Sequence, residues 1–111
     1  MKNPPLIQFH GLELSEALAD SARQKAEKLS QFAADIQTCR IDIEQLAKHR
    51  QQGRPFGVRI HLTLPGRELS VNGAVDEDAH LALHDAFDRM TRQLRDTVSR
   101  LQAHGPRPQP E

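Results

Sequence analysis

Few residues of this chain could support catalysis or metal binding. His80 and His84 stand four positions apart, which places both imidazoles on one face of a helix. The intervening residues are Leu81-Ala82-Leu83, so the glutamate that serves as general base in zinc-protease helices is missing. Both histidines lie beside an apolar stripe, where we expect partly buried side chains rather than metal ligands. A small enzyme or metal-binding protein that uses this pair is one alternative hypothesis.

The remaining chemistry-bearing residue types fit structural roles. Cys39 is the one cysteine of the sequence, which excludes an internal disulfide and a multi-thiolate metal site and fits a reducing compartment. It alternates with Ile41 and Ile43, a pattern that predicts a buried thiol. The acidic run 76–78 lacks the spacing of a calcium loop, and no glycine-rich phosphate loop is present. We therefore predict no enzyme activity and no cofactor.

Four segments have the alternating pattern of strands. Leu6–His10 is a short first strand, 36–46 alternates with Cys39 inward, and 58–64 alternates from Val58 to Leu64. The fourth strand faces the core with Leu69, Val71 and Val75. A polar hairpin loop at 47–55 joins the second and third strands, and Gly66 and Gly73 are expected in a turn or bulge.

Two longer segments have the periodicity of amphipathic helices. The first is predicted over 16–34, after the N-cap Ser15, and the second over 77–103, ended by Gly105-Pro106. Their apolar stripes are Leu18, Ala22, Ala26, Leu29, Phe32 and Ala33 in the first, and Leu83, Phe87, Met90, Leu94, Val98 and Leu101 in the second. Residues 105–111 are rich in proline and predict a disordered tail after a single domain over 1–104.

The element order predicts an α+β fold, β-α-β-β-β-α. A strand–helix–strand crossover should be right-handed and place the first two strands in parallel, and the two hairpins should add the other strands antiparallel. Each strand has one apolar face and each helix one apolar stripe. The result is two helices packed on one face of a four-stranded mixed sheet, with the other sheet face in water.

Length and charge narrow the functional classes. The chain has 111 residues, 15 basic (Lys and Arg) and 15 acidic side chains, so its formal net charge is zero, which argues against a general nucleic-acid binder. The charge is unevenly distributed: 76–88 carries five acidic and no basic residues, whereas 89–111 carries five arginines and two acidic residues. No segment has the length of a membrane span or the character of a signal peptide, which predicts a cytoplasmic protein without membrane contact.

Two segments, in this element order, resemble one family. Ser15-Glu16-Ala17-Leu18, followed by Lys25, Lys28-Leu29 and Phe32, is similar to its first helix. Asp78 to Leu101, with Asp88-Arg89-Met90 and Arg92-Gln93-Leu94, is similar to its last helix. The chain thus resembles, from Leu6 to about His104, the bacterial ribosome hibernation-promoting factor or ribosome-associated inhibitor (S30EA-like) family. It looks like a short form, since the long C-terminal extension is missing.

The resemblance implies a role that needs no catalysis. Members of this family occupy the cleft of the small ribosomal subunit where tRNA and mRNA lie, and they block translation during stress or stationary phase. A basic helical side meets ribosomal RNA. Here His80 and His84 replace the family's aromatic residue and following aspartate, and the end of the last helix is less basic. We expect ribosomal RNA as partner, no DNA and a monomer when free.

The RNA-contacting residues that this reading selects are seven basic side chains of the two helices: Arg23, Lys25, Lys28, Arg89, Arg92, Arg95 and Arg100. Guanidinium groups form bidentate contacts with phosphate, which favours the arginines of this set. Arg89 and Arg92 are the foremost candidates. The alternative is a solvated face, in which Arg89, Arg92 and Arg100 pair with aspartates four residues away. In that case the chain would be a regulatory protein-interaction module on the same fold without ribosome binding.

Two further groups of cations have more ordinary explanations. The loop residues Lys48, His49, Arg50 and Arg54 form either an arm that touches the ribosome or a polar hairpin tip. On the open sheet face, Arg40, Arg59 and His61 are expected to pair with Asp42 and Glu44 across strands, and no ligand is assigned to them.

Overall fold

A computed structural model of the protein describes residues 1–46 and 55–104. The cationic loop cluster and the tail 105–111 lie outside the described residues. The elements are β1 Leu6–His10, α1 Glu16–Leu29, β2 Thr38–Gln45, β3 Phe56–Leu64, β4 Arg67–Asp76 and α2 Ala79–His104. The predicted order β-α-β-β-β-α is confirmed.

The sheet has the predicted mixed topology, with strand order β1-β2-β3-β4. β1 pairs in parallel with β2, and β3 and β4 follow antiparallel. The register places Ile41 beside Ile60 and Ile60 beside Val71, so apolar side chains form a continuous row across three strands. Because side chains alternate along a strand, this row covers the face that receives both helices.

The core lies between the sheet and the helices. Its fully buried large side chains include Leu29 of α1, Leu83, Met90 and Leu94 of α2, and Ile41 and Leu62 of the sheet. Burying each such side chain contributes about 1.5–3 kcal/mol. Leu101 is 47% exposed, so the apolar stripe of α2 leaves the core before the predicted last position. In the described part of the chain, no helix is long and apolar enough to cross a membrane.

The first helix is shorter than predicted. It starts after the predicted cap, where the Ser15 hydroxyl accepts a hydrogen bond from the Leu18 amide at 3.2 Å. It ends at Leu29 rather than at residue 34, because the following amides bond three residues back instead of four. The last of these bonds joins the Phe32 amide to the Leu29 carbonyl at 2.9 Å. Phe32 therefore lies beyond the helix, and it is 38% exposed rather than part of the core.

A bulge in β4 contradicts the predicted inward position of Val75. Ile60 pairs with Val71 but Val58 pairs with Ala74, so β4 contains one extra residue in this interval. Gly73 supplies the backbone conformation that the bulge requires, with φ of +85°. The extra residue changes which side chains face inward: Ala74 is fully buried and Val75 is 49% exposed. Gly66, with φ of +78°, forms the predicted tight turn.

Candidate nucleic-acid interface

The seven predicted RNA-contacting residues all lie on α1 and α2, the two helices that pack on one face of the sheet. Six of the side chains are exposed, and Lys25, which lies beside the apolar stripe of α1 in the helical period, is half-buried. Two shallow depressions run along the outer surface of α2 and share Arg92 and Asp96. Both helices pack on the same face of the sheet, and so all seven side chains belong to the helical layer. We call the outer surface of this layer, carried by α1 and α2, the helical surface.

Three of the four α2 arginines are neutralised by aspartates of the same helix. Arg89 binds Asp85 at 3.0 Å, Arg92 binds Asp88 at 3.1 Å, and Arg100 binds Asp96 at 3.3 Å. All are exposed pairs at the i,i+4 spacing, worth a few tenths of a kcal/mol each. The ion pairs that the sequence offered as the alternative to RNA contact have therefore formed, each between an arginine and the aspartate four residues before it.

Arg95 has a different environment. Its guanidinium carbon lies over the ring of Phe32, 5.7 Å from the ring centroid. This distance is that of a cation–π interaction, which contributes about 0.5–1 kcal/mol at an exposed site. Within residues 1–46 and 55–104, Arg95 forms no ion pair with a carboxylate. The contact with Phe32 also links α2 to the turn that follows α1.

The basic residues of α1 are divided in the same way. Arg23 binds Asp20 one turn earlier in the helix. Lys25 and Lys28 form no ion pair within the described part of the chain. Lys28 stands in the last turn of α1, where a cation is stabilised by the partial negative charge of the helix C-terminus.

The net charge of the two helices is close to zero. α1 carries three acidic residues and three basic residues, and α2 carries three aspartates and four arginines. The sum is +1, with the histidines neutral. The helical surface therefore has isolated cations rather than a continuous positive field. Lys25, Lys28 and Arg95 are those that no described carboxylate neutralises.

His80 and His84 do not form a metal site with other described residues. Both side chains are exposed, so the expected partial burial was wrong. The helix begins later than predicted, at Ala79, because Asp78 caps it and accepts a hydrogen bond from the His80 amide at 2.8 Å. Within residues 1–46 and 55–104, no three histidine, cysteine or acidic side chains lie close enough together to hold a metal ion.

The open sheet face is organised around a buried carboxylate, Asp42. Its Oδ1 contacts His10 Nε2 at 2.8 Å and its Oδ2 accepts a hydrogen bond from Arg40 Nε at 3.1 Å. Burial alone would raise the pKa of Asp42, but the hydrogen bonds and positive charges of His10 and Arg40 outweigh burial and lower it. Arg40 was expected to pair with a carboxylate across strands, but this pair lies within β2, between residues two positions apart. The contact with His10 was not predicted, since it depends on the parallel register of β1 and β2, for which the sequence has no local signal.

The other pairs on this face differ in part from the prediction. Arg59 lies 4.0 Å from Glu44 on β2, as expected for a cross-strand pair. His61 instead faces β4, where its Nε2 lies 3.2 Å from Glu68 and its Nδ1 lies 3.1 Å from the Ser70 hydroxyl. These contacts pair Arg59 and His61 of β3 with acidic side chains of the neighbouring strands.

Cys39 is 2% exposed in the core between the sheet and the helices. Burial raises the pKa of its thiol to about 12. A thiol with this pKa is not ionised at neutral pH and cannot act as a nucleophile there. The prediction that the Cys39 thiol is buried is confirmed.

Comparisons with known proteins agree with this architecture. The family model described as Sigma 54 modulation protein / S30EA ribosomal protein matches residues 6–102, which include every strand and almost all of both helices. No curated protein matches the chain in a sequence comparison.

Two solved structures are similar in fold. The N-terminal domain of Protein Y from Thermus thermophilus aligns with a TM-score of 0.70 and 23% identity, over 87% of this chain and 99% of that one. A ribosomal subunit interface protein from Coxiella burnetii aligns with a TM-score of 0.64 and 17% identity, over 89% of this chain and 97% of that one. At these identities the likeness concerns the fold.

Proposed function

Because the chain belongs to the Sigma 54 modulation protein / S30EA ribosomal protein family, we propose that it associates with the small ribosomal subunit and represses translation by occupancy. It acts in the bacterial cytoplasm during stress or stationary phase, in the cleft that tRNA and mRNA otherwise fill. The observation that carries the proposal is the family match over residues 6–102 together with basic side chains on two adjacent helices. The Coxiella burnetii neighbour is described as a ribosomal subunit interface protein, which supports the same partner.

The mechanism requires binding and volume rather than chemistry. The helical surface would contact phosphates of ribosomal RNA through basic side chains of α1 and α2, with the sheet behind the helices. The sequence contains four phenylalanines and no tyrosine or tryptophan, so stacking of unpaired bases contributes little. Recognition of backbone and shape fits this composition better. The bound domain would exclude tRNA and mRNA from the cleft by its bulk.

A second candidate function has a specific observation in its favour. Three α2 arginines are already paired with aspartates, and the two helices together carry a net charge of only +1. A regulatory protein-interaction module on the same fold would have such a balanced surface and no affinity for the ribosome.

Sedimentation of the protein with purified small subunits, at low and at moderate salt, separates the two functions. We expect the protein in the subunit fraction at about 50 mM salt and less of it at about 200 mM, because phosphate contacts release counterions. Absence from that fraction at the lower salt would favour the interaction module. Large subunits sedimented in parallel are the control for adhesion to ribosomal RNA in general.

A further inference from the structure

We infer that Arg95 is the principal phosphate-contacting side chain of the helical surface, and that Phe32 is a positioning residue that holds its guanidinium in place. The inference rests on the proposed function, because it names the residue through which the helical surface meets RNA. It also changes the order of the candidates, since the sequence favoured Arg89 and Arg92.

The first step is the difference between a carboxylate and an aromatic ring as partners of a guanidinium. Asp85 and Asp88 accept the N–H donors of Arg89 and Arg92 at 3.0 Å and 3.1 Å and cancel their charges. A phosphate that binds either arginine must compete with an aspartate already in contact. The ring of Phe32 restrains Arg95 at 5.7 Å without carrying a charge, and so Arg95 keeps its full positive charge and its N–H donors.

The second step is that the arrangement follows from the positions of these residues. The neighbours of Arg95 at the i,i+4 spacing are Thr91 and Ser99, which carry no charge. Phe32 reaches Arg95 because α1 ends at Leu29 and the chain continues in tight turns. A ring that is 38% exposed, with a guanidinium over it, is thus placed at the surface between the end of α1 and α2.

The third step is the space beside Arg95. A shallow depression of about 540 Å³ is lined by Arg92, Arg95, Asp96 and Ser99. Arg92 is bound to Asp88 and Asp96 is bound to Arg100. Two hydrogen-bond donors of this depression remain, the Arg95 guanidinium and the Ser99 hydroxyl. Within the part of the chain that the structure describes, no carboxylate binds either of them. A guanidinium and a hydroxyl on adjacent turns suit the oxygens of one phosphate group.

The test compares variants that change the net charge equally. The dissociation constant for purified small subunits is measured with Arg95→Gln, with Arg92→Gln, and with Arg67→Gln at the first residue of β4. We expect Arg95→Gln to weaken binding about tenfold and to lower the salt dependence by about one contact. Arg92→Gln should weaken binding less than about threefold with little change in salt dependence, and Arg67→Gln should leave binding at the wild-type level.

Phe32 is tested by a double-mutant cycle with Arg95. We expect Phe32→Leu to weaken binding about threefold and Phe32→Tyr, which retains a ring, to stay within about twofold of wild type. In the Arg95→Gln background, Phe32→Leu should have no further effect. Thermal melts of each variant establish that the fold is retained. A loss with Phe32→Leu that is equal in both backgrounds would overturn the positioning role.

The outcomes separate this inference from the proposed function. If the wild-type protein does not bind small subunits, both fail. If it binds and Arg95→Gln weakens binding no more than Arg92→Gln, the helical surface contacts RNA without a special role for Arg95, and the inference alone is overturned. If Arg95→Gln and Phe32→Leu behave as expected, both are supported.

Discussion

At the scale of single residues, Asp42 shows how a charge is kept inside a small domain. Its carboxylate is 7% exposed, yet it stays ionised because His10 and Arg40 contact its two oxygens from two strands. A neutral side chain in place of Asp42 would leave a buried polar group poorly satisfied and would remove the carboxylate that the exposed His10 and Arg40 contact. The contact with His10 also joins β1 to β2 on the open sheet face.

Replacing Asp42 should destabilise the fold in a pH-dependent way. We expect Asp42→Asn to lower the free energy of unfolding by about 2 kcal/mol at neutral pH, whereas Glu44→Gln, which alters a looser exposed pair, should change it by less than about 0.5 kcal/mol. The pKa of Asp42 is lower in the folded protein than its ordinary value of 3.8. Its stabilising effect is therefore complete above that value and is lost as the pH falls through the folded pKa.

Thermal melts of the wild type and the two variants between about pH 2 and pH 7 measure this effect. The difference between wild type and Asp42→Asn should shrink as the pH falls below about 4. A difference that stays constant down to the lowest pH, or that grows on acidification, would contradict the assigned role of the carboxylate.

Cys39 gives a second residue-scale prediction. Since its thiol has a pKa of about 12 and is 2% exposed, we expect native protein at about pH 8 to react with a thiol reagent at least a hundredfold more slowly than protein unfolded in guanidinium. The single cysteine makes the colorimetric reaction a one-site measurement. Native labelling as fast as that of the unfolded chain would mean that the core opens readily around β2.

At the scale of elements, the bulge in β4 depends on a glycine at one position. Gly73 has φ of +85°, and a Cβ added there would meet no atom within 4 Å. The obstacle to a side chain is therefore backbone conformation rather than space. A non-glycine residue held in the left-handed region destabilises the folded state by about 1–2 kcal/mol.

We expect Gly73→Ala to lower the free energy of unfolding by about 1–2 kcal/mol and Gly73→Asn to lower it by less, because asparagine tolerates this conformation better. The matched control is Gly57→Ala in β3, which has an ordinary backbone and a Cβ position 3.5 Å from the Leu46 side chain. That variant should be neutral or slightly stabilising, since alanine reduces the freedom of the unfolded chain. Chemical denaturation of the three variants measures the differences. Equal stabilities of the two alanine variants would refute the explanation of the bulge.

Charge reversal on α2 tests the helical surface as a unit. We expect Arg89→Glu combined with Arg92→Glu to abolish sedimentation with small subunits while the circular dichroism spectrum stays that of the wild type. The change replaces two guanidinium groups by carboxylates beside Asp85 and Asp88, so this part of α2 would repel the phosphates of RNA. The opposite reversal, Asp85→Lys with Asp88→Lys, should strengthen binding. Unchanged sedimentation of the first variant would exclude this part of α2 from the interface.

The order and type of the elements were predictable because each apolar pattern extends over several residues. Their ends were less so. The end of α1 was placed five residues too late, at 34 rather than at Leu29, because Phe32 and Ala33 continue the apolar spacing although the backbone has already turned. Gly73 was expected in a turn or bulge, but the sequence did not show that the bulge adds one residue between Val71 and Ala74, and so Val75 was placed inward.

The same limit applies to the candidate site. The i,i+4 pairs on α2 were predictable because both partners belong to one helix. The contact between Phe32 and Arg95 was not, since it joins residues far apart in the chain and depends on how the end of α1 packs beside α2. The sequence therefore named Arg95 as one of seven cations but had no means of telling that it would be the α2 arginine that no described carboxylate neutralises.

At the scale of the whole molecule, a protein with a formal net charge of zero must bind RNA through a few local contacts. If all seven candidate cations contacted phosphates, the logarithm of the affinity would fall with the logarithm of the salt concentration with a slope of roughly −5 to −6. Carboxylates of the same helices neutralise four of them, namely Arg23, Arg89, Arg92 and Arg100. We therefore expect only Lys25, Lys28 and Arg95 to contribute to the salt dependence, with a slope of roughly −2 to −3.

The slope is obtained by measuring the dissociation constant for small subunits at several salt concentrations between about 50 and 200 mM. The affinity should fall about 15- to 60-fold across that range. The triple variant Lys25→Gln, Lys28→Gln, Arg95→Gln should bring the slope close to zero, whereas Arg67→Gln should leave it unchanged. A wild-type slope of −5 or steeper would mean that the arginines exchange their aspartates for phosphates on binding. In that case the ion pairs of the free protein would hold the cations in place until RNA arrives rather than withdraw them from the interface.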